Sequence, residues 1–424
     1  MNSRFALQST SCLALITALG LLWPAAAPAR IKLITLPLRE RVEIQLDHPS
    51  VTLVEEERIV PLVKTAADDE PNQVDFSWAN TAIDPETIVF RVIGPAAGEA
   101  NAGMQIRVHS VSYPPNEQAL VWQVAASKSG AARVRISYVL GNLSKSFNYR
   151  AVAAHDEKTL TLAQYMRLQN FANEEFMGSF DADKGANLWA GWGRQFTRPV
   201  GLNETKEMLV AKFTDVPVRK TYTCNPATHD YLDRPQNKLR VPMHYVLKND
   251  KASNLGTSPL PYGKVRLFIA PRDPKDATLS STFLGEDWGA FTPIDDEMRL
   301  YLGVAQDIVV KRTIDKSERK RVAGNLYHYE ITLKYEIENF KDQPVVLDIQ
   351  ENLRHVRGEI PNLAGSSRDV EWELLPATDL EGGPDKDKTT FDEVLFHVPL
   401  PARDKSGKAE KLVRRLHLRF RNEW

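Results

Sequence analysis

The sequence predicts a mainly β protein, built as multi-domain antiparallel β-sandwiches with an immunoglobulin-like C-terminal domain and few short helices. Three observations carry that expectation. Apolar residues recur at every second position, as in Val134, Ile136 and Tyr138 against Arg133, Arg135 and Ser137. Turn formers at 128–130 (KSG), 254–256 (NLG), 341–344 (KDQP) and 381–384 (EGGP) break the alternation at short intervals. Helical spacing is weak, and only 163–175 and 204–212 read as short helices. The 424 residues are enough for roughly two to four domains. A composition of 42% hydrophobic and 26% charged residues is that of a folded chain.

Taken in order, residues 1–29 read as a signal peptide. Arg4 gives a short positive start, 12–23 (CLALITALGLLW) is uncharged and apolar, and Pro24 precedes Ala27 and Ala29 in a cleavage-like arrangement. The apolar run falls short of the roughly 20 residues of a spanning helix, so no transmembrane span is expected after cleavage. The expected location is therefore outside the cytoplasm, periplasmic or extracellular. Removing the leader takes Cys12 with it and leaves Cys224 without a partner for an internal disulfide. Cys224 ends a strand-like run and reads as a buried, inert thiol.

Residues 30–150 carry strands near 42–46, 51–60, 87–93, 105–111, 119–125 and 132–140, and read as an N-terminal β-sandwich domain. Residues 151–310 form an irregular β-rich middle region with Trp, Gly and Pro in it. Residues 311–424 hold six or seven short strands, among them Ile331-Leu333-Tyr335-Ile337 and Leu416-Leu418-Phe420. That spacing fits an immunoglobulin-like β-sandwich without its cysteine pair.

Function is read first by exclusion. With 54 Lys+Arg against 55 Asp+Glu, a net charge of −1 gives no electrostatic reason for a nucleic-acid partner. The nine histidines are scattered, with no H-E-x-x-H pair, and neither G-x-S-x-G nor a phosphate-binding G-x-x-x-x-G-K-[ST] is present. Asp181-x-Asp183-x-Gly185 opens like a calcium loop, but its twelfth position is Trp192 rather than Glu. Glu286-Asp287 and Asp295-Asp296-Glu297 offer carboxylates for a glycosidase-like pair, which acidic turns also supply without function. No catalytic residue, metal or cofactor is assigned.

Two groups remain as binding candidates. Trp189, Trp192 and Trp288 lie in Gly-rich segments, where indoles can stack on sugars or anchor a partner, although core packing is the commoner use. In the last strand, inward Leu416, Leu418 and Phe420 put Arg415, His417, Arg419 and Arg421 in one outward row. Such a row suits an acidic polysaccharide, lipid headgroups or an acidic protein patch. The plain alternative is an edge strand guarded by charge. Trp424 at the terminus resembles the last strand of an outer-membrane barrel, but no sustained lipid-facing alternation accompanies it.

Several blocks resemble the bacterial mucoidy-inhibitor-A-like family with a C-terminal domain of unknown function. They are 36–40 (LPLRE) with 51–58 (VTLVEEER), 137–150 (SYVLGNLSKSFNYR), 259–266 (PLPYGKVR), 283–287 (FLGED) with 292–293 (TP), and 335–345 (YEIENFKDQPV). The chain departs from the longer relatives in having no heptad pattern and in carrying Lys145 where Trp is frequent. The resemblance implies a β-rich envelope protein and supplies no site residues. The expected function is a structural or protein-interaction module of the bacterial envelope. A carbohydrate-binding module is the first alternative and a hydrolase the second. The expected partner is an envelope protein or polysaccharide; the sequence does not specify an oligomeric state.

Overall fold

Strict alternation over 52–62 puts Thr52, Val54, Glu56, Arg58, Val60 and Leu62 on one buried face, and this row sets the first layer of the molecule. The computed structural model describes residues 30–34, 39–46, 48, 51–65, 71–78, 80–176, 186–189, 195–229, 231–273, 280–361, 363 and 371–423. The leader at 1–29, Trp192 and the Asp181–Gly185 motif lie outside them. The protein is mainly β. Five sheets accompany a single α-helix among the described residues, Leu353–Gly358, capped by the Asn352 side chain. The chain divides into two units, residues 1–144 with 169–205, and residues 145–168 with 206–424.

The first unit pairs a four-stranded sheet with a six-stranded one. The first runs in the order Arg30–Ile34, Asn72–Ser77, Ala119–Ala126, Ile106–Ser112. The second runs Gln195–Arg198, Ala186–Trp189, Arg39–Gln45, Thr52–Leu62, Gly130–Leu140, Ile83–Pro95. Phe76 of the smaller sheet meets Tyr138 of the larger at 5.8 Å between ring centroids, which fixes the two inner faces against each other.

The second unit has three sheets. One is five-stranded, Thr205–Pro217, Thr159–Asn170, Leu143–Ala153, Gly263–Ile269, Thr282–Gly289. Another five-stranded sheet runs Glu297–Val304, Pro242–Lys248, Arg219–Cys224, Val345–Asn352, Glu393–Leu400. The six-stranded sheet runs Tyr231–Asp233, Lys238–Leu239, Ile308–Ala323, Leu326–Asn339, Lys411–Glu423, Trp372–Leu374. The second of these serves two cores. Its Tyr245, Leu247, Met298 and Leu300 pack with Tyr149, Leu162, Val265 and Leu267 of the first. Its Tyr222, Leu347, Ile349 and Phe396 pack with Ile331, Leu333, Tyr335, Leu418 and Phe420 of the third. Burying one Leu or Phe side chain is worth about 1.5–3 kcal/mol, so this shared layer ties both cores into one structure.

Several expectations change. The two helices expected at 163–175 and 204–212 are strands, within Thr159–Asn170 and Thr205–Pro217. Their Ala, Gln, Met, Leu and Lys favour helix locally, but inward Leu160, Leu162, Met166 and Leu168 follow a period of two, and pairing overrides propensity. Four sheets also contain one parallel pair each, such as Leu143–Ala153 with Gly263–Ile269, which require long crossovers and leave no local sequence mark. Residues 169–205 join the first unit, and the strands of 151–310 are otherwise distributed over all three sheets of the second. Cys224 ends the strand Arg219–Cys224 fully buried, and burial pushes its thiol well up, with Glu351 adding to the effect.

Each unit encloses a knot of arginine, glutamate and tyrosine. In the first, an irregular register between Arg39 and Arg41 turns Arg39 inward, to Glu56 and to Glu174 at 2.6 Å, while Arg58 donates to Glu56 at 3.0 Å. In the second, Arg312 grips Glu351 with two bonds of 2.7 and 3.1 Å, reaches Glu359 at 2.8 Å, and Tyr335 donates to Glu351 at 2.7 Å.

Candidate functional site

The outward row of the last strand is committed to carboxylates. Arg419 binds Glu330 at 2.7 Å and also Glu373; Arg421 lies 3.8 Å from Glu373 and Arg415 3.6 Å from Asp315. Lys411–Glu423 is moreover no edge, because it pairs with Leu326–Asn339 on one side and Trp372–Leu374 on the other. The guarded-edge reading therefore gives way to an interior strand whose charges are neutralised across the sheet.

A cleft of about 640 Å³ lies in the second unit beside Glu157, Lys220, Tyr222, Asp348 and His397. Glu157 sits in a hairpin turn with φ 55°, a left-handed conformation that costs a non-glycine residue roughly 1 kcal/mol. It is held there by Lys220 at 2.7 and 2.9 Å and by the Tyr245 hydroxyl. His397 places Nδ1 2.7 Å from Asp348 and Nε2 3.0 Å from Asp385. Partial burial lowers its pKa, but the bonds to both carboxylates more than offset this and the net shift is upward. Held on both nitrogens, the ring ties the strand Glu393–Leu400 to Val345–Asn352 and to the turn at Asp385.

The acidic doublets are similarly engaged. Glu286 binds Lys264 at 2.8 Å, which holds its carboxyl below the usual range. Asp287 accepts from the backbone N–H groups of Trp288 and Tyr301 at 2.8 and 2.6 Å, and Asp296 from that of Glu297 at 2.8 Å. These bonds shape turns and strand ends. Among the described residues no group of three or more His, Cys, Asp or Glu is arranged to hold a metal ion. No helix among them is long and apolar enough to cross a membrane.

Trp288 behaves differently. It lies on the strand Thr282–Gly289, facing away from the core, with 53% of its surface open to solvent. Tyr262, 58% exposed, stacks on it with ring centroids 5.1 Å apart and planes 2° from parallel. Lys264 lies 5.3 Å from the indole centroid. Glycine makes this arrangement possible: Gly263 and Gly289 are partners across the two strands, and a Cβ at Gly263 would stand 2.3 Å from the Phe147 carbonyl oxygen. Trp189 ends the strand Ala186–Trp189 of the first unit, and its side chain lies outside the described residues, as does Trp192. Sequence reasoning singled out Trp288 and missed Tyr262. The P-Y-G-K run, an aromatic between Pro and Gly opening a strand, is the signal that would have found it.

Compared with known proteins, the chain matches no family model and no curated protein.

Proposed function

We propose that this protein is an exported, non-catalytic module of the bacterial envelope that binds carbohydrate on the outer face of the five-stranded sheet carrying Trp288. The observation that carries the reading is the stacked, solvent-open Tyr262–Trp288 pair on a rigid strand. The C–H faces of sugar rings pack on such aromatic surfaces, and a side chain fixed by a neighbour loses little freedom on binding. Its setting adds support: the ionisable groups of the large cleft are committed to one another, whereas the indole is not enclosed by the fold. The leader-like residues 1–29 support export to the periplasm or beyond, and the blocks that resemble the mucoidy-inhibitor-A-like proteins support an envelope role.

The test is calorimetric titration of the purified chain with a panel of soluble oligosaccharides, alongside Trp288→Ala and Tyr262→Ala. The reading expects saturable binding without product release, weakened about tenfold or more by either substitution at unchanged circular dichroism. Binding that survives both substitutions would overturn it. A second reading, a protein partner, is favoured by exposed Val89, Ile93, Val108 and Val111 on Ile83–Pro95 and Ile106–Ser112, each the last strand of its sheet. Crosslinking from those strands to an envelope protein would support it.

A further inference from the structure

We infer that the ligand of this face is an acidic polysaccharide, whose carboxylates are met by Arg150 and Arg266 beside the Tyr262–Trp288 platform. The inference rests on the carbohydrate reading just given and adds the charge of the sugar. Two neighbouring rows cross the outer face, Asn148–Lys264–Trp288 and Arg150–Arg266–Glu286, each in register over three strands. With strands about 4.8 Å apart and about 3.4 Å per residue along them, the backbones of Lys264 and Arg266 lie within about 8 Å of that of Trp288, and that of Arg150 about 12 Å away.

Arg150 and Arg266 are direct partners, an arrangement of like charges that is unfavourable until an anion joins them. The fold supplies one such anion. Glu286 lies 2.8 Å from Lys264 and 3.8 Å from Arg266. Arg150 makes no ion pair among the described residues. Its guanidinium lies 4.8 Å from the Phe268 ring centroid, a stacking contact that steadies the plane and leaves the N–H edge for a carboxylate. Arg167 extends the same outward row as Tyr165 and is exposed.

A cleft of about 500 Å³ runs over this face, lined by Asn148, Arg150, Tyr165, Glu207, Arg266 and Phe268. The Asn148 side-chain oxygen is enclosed there without a hydrogen-bond partner among the described residues, a polar group suited to a sugar hydroxyl once its amide turns. The face thus sets Arg150, Arg167, Lys264 and Arg266 against Glu207 and Glu286, a cationic excess on a chain whose net charge is −1. Aromatic surface and forked donors together fit a uronate-bearing chain better than a neutral glycan.

The full chain is titrated with oligogalacturonate, with cellohexaose as the neutral probe and with phosphatidylglycerol vesicles as the lipid probe. Oligogalacturonate is expected to bind saturably, and more weakly as salt rises from about 20 to about 300 mM. Arg150→Ala and Arg266→Ala should each lower the affinity about tenfold at unchanged thermal stability, and Glu286→Gln, which removes the competing carboxylate, should raise it severalfold. Equal binding of both glycans, indifferent to the arginine variants but lost in Trp288→Ala, would overturn the acidic ligand and leave the carbohydrate reading standing. Binding of neither glycan would sink both, and binding of vesicles alone would reassign the face to an anionic membrane surface.

Discussion

The two units each bury an arginine–glutamate–tyrosine knot, and they finish it differently. In the second unit every strong group has a partner: Arg312 holds Glu351 with two bonds, and Tyr335 donates to the same carboxylate. In the first, Glu56 is shared by two arginines, with Arg58 Nη2 3.0 Å from it, Arg39 also holds Glu174 at 2.6 Å, and the Tyr138 hydroxyl lacks a hydrogen-bond partner among the described residues. The pKa of Arg39 is lowered by burial but raised on balance, Glu56 being the main cause, and that of Tyr138 is raised by burial first and Glu56 second. The lesson is that the same three residue types make a fully paired network where the tyrosine reaches the shared carboxylate, and leave a buried hydroxyl unpaired where it does not.

The largest test removes the centre of the closed knot. Glu351→Ala leaves Arg312 buried with only Glu359, and should cost about 3–5 kcal/mol in urea unfolding. A loss below about 1 kcal/mol would show that the knot is far better solvated than its burial implies. The tyrosines then sharpen the contrast. Tyr335→Phe strips a donor from Glu351 and should cost about 1–3 kcal/mol, whereas Tyr138→Phe should be neutral or slightly stabilising because its hydroxyl bonds nothing among the described residues. Equal costs for both would erase the distinction.

Two smaller effects probe exposed counterparts of the knots. The raised pKa of His397 means its clamp is fully formed below about pH 6.5, the unfolded value, and is lost as pH rises through the higher folded one. Thermal stability should therefore fall across that window, and His397→Gln should flatten the dependence. Smallest is Glu336, whose carboxyl is held at about 2 by hydrogen bonds from Lys411 and Lys334. Its contribution is present above about pH 4.3 and fades as pH falls toward 2. Glu336→Gln should remove that slope from an acid titration, at the cost of a small loss of stability at neutral pH.

Much of the fold was legible because alternation is a local signal. The strands expected near 51–60, 119–125 and 132–140 appear as Thr52–Leu62, Ala119–Ala126 and Gly130–Leu140. The knots were only half legible. Glu56 and Arg58 sit at inward positions of a readable row, but Arg39 enters through an irregular register that alternation alone assigns to the wrong face. The arginines of the last strand were seen as a row, yet Glu330, Glu373 and Asp315, which neutralise them, come from elsewhere in the chain. Trp288 was visible as a candidate, while Tyr262 reaches it through the pairing of Gly263–Ile269 with Thr282–Gly289, and Arg150 joins through a strand pairing more than a hundred residues apart in sequence.

The interleaving of the two units bears on how the protein is made. The chain leaves the first unit at residue 144, returns at 169 and quits it again at 205. During vectorial emergence the strand Arg39–Gln45 keeps one side bare until Ala186–Trp189 arrives, and Arg39 lacks Glu174 for nearly as long. Meanwhile Leu143–Ala153 must wait for Gly263–Ile269, its parallel neighbour. Nascent material of this kind exposes unpaired backbone to other chains, so a holding chaperone on its route should bind before residue 205 has appeared and let go after it.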